Sequence, residues 1–233
     1  MQVGAGSVAG RVVVALTLAA VLGGCAGSGD GDGKAGASAS AGAGARGAKG
    51  TGGAPSGGTI GASGSDCELP VTFDIAASWK AKGIDAETER SKASQKPGGD
   101  LSGALADSFL RQGPVTAACE IDAKPAGHIG FLRVWTGKGP HADAGTVLRQ
   151  FVTAEDNTSK ATYRSVRTGG GLSGVEVDYL YTSKLLDETK KETALAVSTP
   201  DGPVVLHLGG MDTEEHEGMR PAYELAKRTL KLA

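Results

Sequence analysis

Few side chains of this chain could take part in covalent or metal chemistry. The sequence has three cysteines, Cys25, Cys67 and Cys119, which lie far apart along the chain. Three thiols are too few for a four-cysteine zinc site or a disulfide-dense scaffold, and no Cys-x-x-Cys pair is present for a redox role. The cysteines therefore have to be interpreted through the segments that contain them.

The four histidines lack the paired spacing of a metal site. They are His128, His141, His207 and His216. His216 lies in the acidic run 212–217, which we interpret as the solvated start of a helix. His207 alternates with two leucines, so we expect it to leave the sheet on their opposite face, hydrogen-bonded or at the solvent edge. We predict no catalytic residue, no metal and no cofactor, while His207 with nearby carboxylates remains the candidate for an unrecognised hydrolase site.

A glycine-rich stretch at residues 169–174 matches the G-x-G-x-x-G pattern of dinucleotide-binding loops. That function requires the loop to open a helix whose N-terminus meets the pyrophosphate. Here the next residues alternate apolar and polar side chains, which predicts a strand. The stretch is therefore predicted to be a turn between two strands.

The first 25 residues have the layout of an export signal. Residues 12–22 form an apolar run too short to span a bilayer, and Leu-Gly-Gly-Cys follows, ending at Cys25. This tetrapeptide resembles the lipobox of bacterial lipoproteins. The resemblance implies that residues 1–24 are a signal peptide, that diacylglycerol and palmitate-type chains modify Cys25, and that Cys25 becomes the N-terminus. An ordinary secretory signal or an uncleaved anchor is the alternative.

The next segment, residues 25–66, has the composition of a tether. Residues 26–66 contain 15 Gly, 10 Ala and 6 Ser, and Ile60 is their only large apolar side chain. Such a segment cannot bury enough surface to offset its ordering entropy, so we predict that it is disordered. All aromatic residues follow it, and we predict a single globular domain over residues 67–233.

Once Cys25 is acylated, Cys67 and Cys119 remain as the two thiols of the exported domain. They most simply form one disulfide, which would stabilise the fold by about 4 kcal/mol in the chain-entropy model. Two buried free thiols or an intermolecular bridge are the alternatives.

The domain alternates predicted strands and helices. The strands are expected at 71–75, 129–136 and 175–181, with a hairpin of 193–199 and 204–208 around a Pro-Asp-Gly turn. Helices are expected at 101–112 with Asp100 as the cap, at 143–155 and near the C-terminus, where Pro221 should lie in the first turn or else kink the helix. This pattern predicts an α+β fold, a mostly antiparallel sheet flanked by helices.

Three of these segments carry a resemblance to a known family. They are the strand Phe73-Asp74-Ile75 followed by Trp79, the Gly-rich turn and strand at 171–179, and the helix at 221–230. Together they resemble the PsbP-like α/β sandwich, and specifically the LpqN-type surface lipoproteins of actinobacteria, over residues 69–232. The resemblance implies a non-enzymatic binding or assembly module, and it brings no catalytic residues.

The leading hypothesis is therefore a lipoprotein anchored in the cell membrane on its extracytoplasmic face. Its domain would bind an envelope partner protein or a small ligand. An envelope hydrolase and a purely structural assembly factor are the alternatives. No nucleic-acid partner is expected, because the formal net charge is −2, without the basic excess that such binding requires.

Overall fold

A computed structural model describes residues 53–96 and 98–233. The predicted signal peptide, Cys25 and most of the predicted tether lie outside these residues. The strands are β1 (Ser56–Ile60), β2 (Val71–Ala76), β3 (Lys80–Gly83), β4 (Arg111–Gln112), β5 (Val115–Asp122), β6 (Gly130–Gly137), β7 (Thr158–Arg167), β8 (Ser173–Ser183), β9 (Glu188–Thr199), β10 (Gly202–Gly210) and β11 (Lys231–Leu232). The helices are α1 (Ala86–Ser94), α2 (Gly99–Leu110), α3 (Ala144–Thr153) and α4 (Thr213–Thr229), with a short 3-10 turn at Lys124–Ala126.

A large antiparallel sheet organises the domain. Its strands run in the order β3-β5-β6-β10-β9-β8-β7, and the short β4 pairs with β5 beside this path. Strands β7 to β10 form a meander because each is joined to the next by a tight turn. A second sheet of three strands has the order β1-β2-β11. The predicted α+β class, mostly antiparallel with flanking helices, is confirmed.

Each face of the large sheet has its own apolar core. The face covered by α4 and the small sheet, here called the α4 face, buries Phe73, Leu206 and Tyr223. The opposite α3 face buries Trp135 and Phe151 beneath α3. Because side chains alternate along a strand, neighbouring residues of β10 belong to different cores.

An irregularity in β5 directs one cysteine to the α4 face. The pairing of β5 with β6 shifts between Ala117 and Cys119, where one residue is extra. As a result, Ala117 packs in the α3-face core while Cys119 packs in the α4-face core, although both have odd numbers. The shift therefore orients Cys119 toward the loop that carries Cys67.

The folded domain begins before the boundary predicted at residue 67. Residues 56–60, assigned to the disordered tether, form β1 and pair with β2. The buried side chain of Ile60 joins the α4-face core, although its neighbours in the sequence are small and polar. Composition gave no signal here, because backbone pairing with an existing strand needs little side-chain burial.

Two helices differ in detail from their predictions. Helix α2 starts at Gly99 rather than 101, with Gly98 and not Asp100 as its N-cap, and it ends at Leu110. Pro221 lies well inside α4 rather than in its first turn, because the helix already begins at Thr213 behind an Asp212 cap. Helix α3, at Ala144–Thr153, agrees with the prediction of 143–155 within its ends.

None of the helices in the described residues is both long enough and apolar enough to cross a membrane.

Candidate functional site

Five polar side chains meet inside the α3 face of the sheet. We call them the carboxylate–histidine cluster: Glu155, Tyr179, Lys190, Glu192 and His207. The Tyr179 hydroxyl lies 2.7 Å from a Glu155 oxygen and 3.2 Å from a Glu192 oxygen. It also lies 3.2 Å from Nε2 of His207, and that nitrogen is hydrogen-bonded to Glu192. Lys190 forms an ion pair with the other Glu192 oxygen at 2.9 Å.

Strand register brings this cluster together. Tyr179 on β8 lies opposite Glu192 on β9, while His207 on β10 lies opposite Ala194 and so diagonally from Glu192. Glu155 follows the end of α3 and reaches the same point from above the sheet. The Phe151 ring packs edge-on against the His207 ring at 5.4 Å, which closes the apolar side.

The surroundings shift the pKa values of Glu155 and Glu192 in opposite directions. Burial, and then the charge of Glu192, raises the pKa of Glu155. Burial also tends to raise the pKa of Glu192, but the charges of His207 and Lys190 outweigh it and lower that pKa. Burial and both carboxylates raise the pKa of Tyr179 well above its ordinary value, so the phenol stays a neutral donor.

The cluster has some of the features of a metal site or of an acid–base site. Ligand atoms of Glu155, Glu192 and His207 lie within 4.8 Å of one another. However, Lys190 already pairs with Glu192, and the buried Nδ1 of His207 has no hydrogen-bond partner among the described residues. A metal-bound histidine normally donates that second N–H. The His207 and Glu192 side chains are only 7% and 3% exposed, so we interpret the cluster as a closed hydrogen-bond network.

The α4 face carries a second polar network, centred on Asp178 of β8. Its carboxylate receives hydrogen bonds from Arg164 at 2.5 Å, from Arg220 at 2.8 Å and from the Thr193 hydroxyl at 2.7 Å. Partial burial tends to raise the pKa of Asp178, but these donors and the arginine charges prevail and lower it to about 2. The network thereby joins α4 to β7, β8 and β9.

A cavity of about 460 Å³ opens beside this network. Its polar lining includes Lys160, Thr162, Asp178, Lys191, His216 and Arg220. His216, on the first turn of α4, is 2% exposed; its Nε2 lies 3.0 Å from the Thr193 hydroxyl. Its buried Nδ1 has no hydrogen-bond partner within the described residues.

The charges around the cavity leave one cation unpaired. Burial, and then the charge of Arg220, lowers the pKa of His216 to about 4, so the ring is neutral at neutral pH. Arg220 pairs with Asp178 and Lys191 pairs with Glu217 at 2.7 Å. Lys160 has no ion-pair partner in the described part of the chain, and it extends from the edge strand β7. Within the described part of the chain, the site therefore offers one lysine without an ion-pair partner and one buried imidazole nitrogen without a hydrogen-bond partner.

Comparison with protein families identifies the chain at the family level. A family model described as "uncharacterised lipoprotein", Lipoprotein_23, matches residues 37–230. The protein belongs to this lipoprotein family. No curated protein matches the sequence. The match starts before β1 and ends just beyond α4, so it covers the large sheet, both polar networks and all of the small sheet except β11.

The structure confirms the disulfide predicted for two cysteines of the lipoprotein, whereas the third cysteine lies outside the described residues. Cys67 and Cys119 form the predicted disulfide, with Cα atoms 5.8 Å apart. The bridge ties the loop between β1 and β2 to β5. Cys25, the predicted lipidation site, lies outside the described residues, so its modification remains a prediction.

The histidines of the lipoprotein are spread over the molecule. His207 faces away from the leucines beside it, as predicted, and is buried and hydrogen-bonded. The prediction that His216 lies in a solvated helix start is wrong, because α4 packs that residue against the sheet. His128 pairs with Glu215 at 3.0 Å, and His141 is exposed in a turn.

The glycine-rich stretch of the lipoprotein is a turn, as predicted. It joins β7 to β8 and does not open a helix. At Gly169 the backbone approaches the Arg228 carbonyl so closely that a Cβ atom would clash with it. The glycines therefore serve packing of the turn against the end of α4 rather than phosphate binding.

The sequence did not predict the cavity beside α4. Its residues come from β7, β8, β9 and α4, and only the strand register places them together. A partial signal existed in the acidic run at the start of α4. Extending the apolar stripe of that helix backward by one turn places His216 on the side that faces the sheet.

Proposed function

We propose that this lipoprotein is a membrane-anchored, extracytoplasmic and non-enzymatic binding protein that takes a small anionic ligand in the cavity beside α4. The observation that carries the proposal is the buried Nδ1 of His216, which has no partner in the described residues and lines that cavity. Thr193 gives its one hydroxyl proton to Asp178, so it accepts from the Nε2–H of His216 and leaves Nδ1 as an acceptor. Because a buried polar atom is normally satisfied, an O–H or N–H donor on the ligand is the missing partner. Lys160 would neutralise the ligand's charge at the cavity mouth.

The location rests on the sequence and on the family. The lipobox-like tetrapeptide ending at Cys25 supports lipid modification of that residue, export across the membrane and attachment to its outer face. Membership of a lipoprotein family agrees with an anchored protein. The large antiparallel sheet with helices on both faces supports the proposed relationship to the PsbP-like surface lipoproteins.

A binding role fits this site better than hydrolysis does. The carboxylate–histidine cluster lacks a serine or cysteine hydroxyl or thiol within the hydrogen-bond contacts described for it, and its side chains are closed to substrate. The cavity beside α4 is open, but its carboxylates are held by arginine and lysine. Carboxylates held in this way stay ionised, so they do not exchange protons with a bound ligand.

Native mass spectrometry of the protein purified from its own membrane tests the proposal. We expect a small-molecule adduct that the Lys160→Ala variant loses and the Lys82→Ala variant retains. Lys82 is an exposed lysine on β3, at the opposite edge of the sheet. Imidazole ¹⁵N shifts of His216 should move when phosphate, which keeps a P–OH donor near neutral pH, is added to millimolar concentration. Unchanged shifts together with no adduct would refute ligand binding at this cavity.

A further inference from the structure

Helix α2 carries an apolar stripe that the domain does not cover. Leu101, Leu105 and Phe109 are 78%, 58% and 66% exposed. Their spacing of four residues places them along one side of the helix. Gly103 and Leu110 lie on the opposite side, toward α1 and the α3-face core. Helix α2 thus packs against α1 through the small residue Gly103 and leaves its large apolar side chains exposed.

The charges of the hairpin formed by α1 and α2 leave the stripe itself neutral. Asp100 and Asp107 lie on the side of α2 that faces α1, away from the stripe, and Asp107 is 3.6 Å from Arg111. Across residues 86–111 the carboxylates and the cations are equal in number. An anionic surface would therefore neither strongly attract nor strongly repel this hairpin, and its contact would depend on the apolar side chains.

The stripe is too small to hold a partner in solution. A large apolar side chain presents on the order of 150–200 Å², so three partly exposed ones present roughly 400 Å². A stable protein interface buries about 800 Å² on each partner. A second copy of this chain, or a free protein, would need further contacts to stay bound. A surface to which the chain is already attached needs no such contacts, because the tether keeps the stripe at a high effective concentration beside that surface.

The tether enters the domain at the same end of the large sheet as the end of α2. The described chain begins at Gly53, which lies against the guanidinium of Arg228 at the end of α4. The end of α4 adjoins the turn before β8. At this end of the sheet β8 and β10 start, β6 finishes, and β5 starts just after α2 ends.

We propose that α2 docks its exposed apolar stripe, Leu101, Leu105 and Phe109, on the lipid bilayer to which the chain is anchored. This inference rests on the proposed anchorage through Cys25. From Cys25 to Gly53 the chain reaches at most roughly 100 Å, so the bilayer is always within range of the domain. Docking would set the orientation of the domain, with the tether entrance toward the membrane and the β8–β9 turn away from it.

The test imitates the anchor chemically, so that it does not depend on natural lipidation. The chain from Cys25 onward is coupled through that thiol to vesicles that carry a maleimide phospholipid. The other two thiols do not react, because they are joined in the disulfide. The variant Phe109→Trp reports on the stripe, since the native Trp79 and Trp135 are 6% and 2% exposed and give a constant background.

We expect vesicle coupling to shift the emission of Phe109→Trp to shorter wavelength, and brominated lipids to reduce its intensity. The matched control is Leu186→Trp in the exposed β8–β9 turn, at the other end of the sheet. Its emission should change neither in wavelength nor in intensity. Adding Leu101→Ser and Leu105→Ser to Phe109→Trp should abolish both changes while circular dichroism shows an intact fold.

Three outcomes would overturn the proposal. The first is an unchanged Phe109→Trp emission on coupled vesicles. The second is equal quenching of the two tryptophan variants, which would mean non-specific contact. The third is protection of Phe109→Trp in solution before coupling, with a dimer in sedimentation, which would assign the stripe to a second copy. Absence of natural acylation at Cys25 would appear instead in the mass of the mature protein and would refute the anchorage alone.

Discussion

Glu155 and Glu192 both contact the Tyr179 hydroxyl, yet the surroundings raise the pKa of Glu155 and lower that of Glu192. Glu192 is paired with Lys190 and hydrogen-bonded to His207, whereas Glu155 faces the charge of Glu192 with no cation in direct contact among the described residues. The first carboxylate is therefore stabilising as an anion, and the second is stabilising when it is protonated.

Replacing either carboxylate by its amide should have opposite effects on stability. Glu155→Gln removes the repulsion and keeps a hydrogen-bond acceptor, so the free energy of unfolding should rise by about 1 kcal/mol at pH 7. Glu192→Gln leaves Lys190 without its counter-charge inside the fold and removes the carboxylate that is hydrogen-bonded to His207, so it should lower the free energy of unfolding by about 3 kcal/mol. Urea unfolding followed by circular dichroism measures both values.

The gain from Glu155→Gln should depend on pH. Because the folded protein raises the pKa of Glu155, the native state binds this proton more tightly than the unfolded chain does. The wild-type protein therefore loses stability as the pH rises from the ordinary glutamate pKa through the raised one. The advantage of the variant should be full above the raised pKa and vanish in acid. A gain that is independent of pH would contradict this explanation.

The position of His207 relative to the neighbouring leucines followed from alternation, but its partners did not. The turn between β9 and β10 pairs Thr199 with Gly202, and counting back from it places Glu192 diagonally from His207. The sequence thus contained a usable signal once the turn was recognised. Glu155 had no such signal, because it reaches the cluster from the end of a helix on another layer.

Secondary-structure elements differ in how well their sequences predict them. Strands β8 to β10 and helix α3 were predictable because their apolar periodicity matches the faces they bury, whereas β7 is largely polar and exposed and was not predicted. Helix α2 has an equally regular stripe, and periodicity predicted the helix but not that the stripe would be exposed. Strand β1 has almost no apolar side chains, and only its pairing with β2 determines its structure.

The disulfide acts between elements, since it ties the β1–β2 loop to the shifted part of β5. The double variant Cys67→Ala, Cys119→Ala should lower the free energy of unfolding by about 4 kcal/mol, because the unfolded chain regains the entropy of an open loop. Chemical denaturation measures the change. Reduction of the wild-type protein should give the same midpoint as the double variant, and equal midpoints for oxidised wild type and variant would contradict the stabilising role.

The whole chain combines a folded domain with a predicted lipid anchor. The domain described here spans β1 to β11, while the predicted anchor lies before it, at Cys25. Family membership covers residues 37–230 and so reaches into the segment between the two. The domain does not need the anchor for its cores, its disulfide or its polar networks, because the contacts that build them join described residues.

Loss of the anchor should therefore change the location of the protein and leave its fold intact. We expect the mature protein to begin at Cys25 and to carry lipid, and Cys25→Ala to abolish that modification. Stable membrane attachment requires two acyl chains, so a variant that is still cleaved should move to the soluble fraction, while an uncleaved one should keep residues 1–24.

Intact-mass analysis of membrane and soluble fractions distinguishes these products, and thermal unfolding of the cleaved variant should match that of the wild-type domain. A mature, membrane-purified protein with an unmodified Cys25 would overturn the lipid anchor, and a lower unfolding temperature in the cleaved variant would show that the anchor also supports the fold.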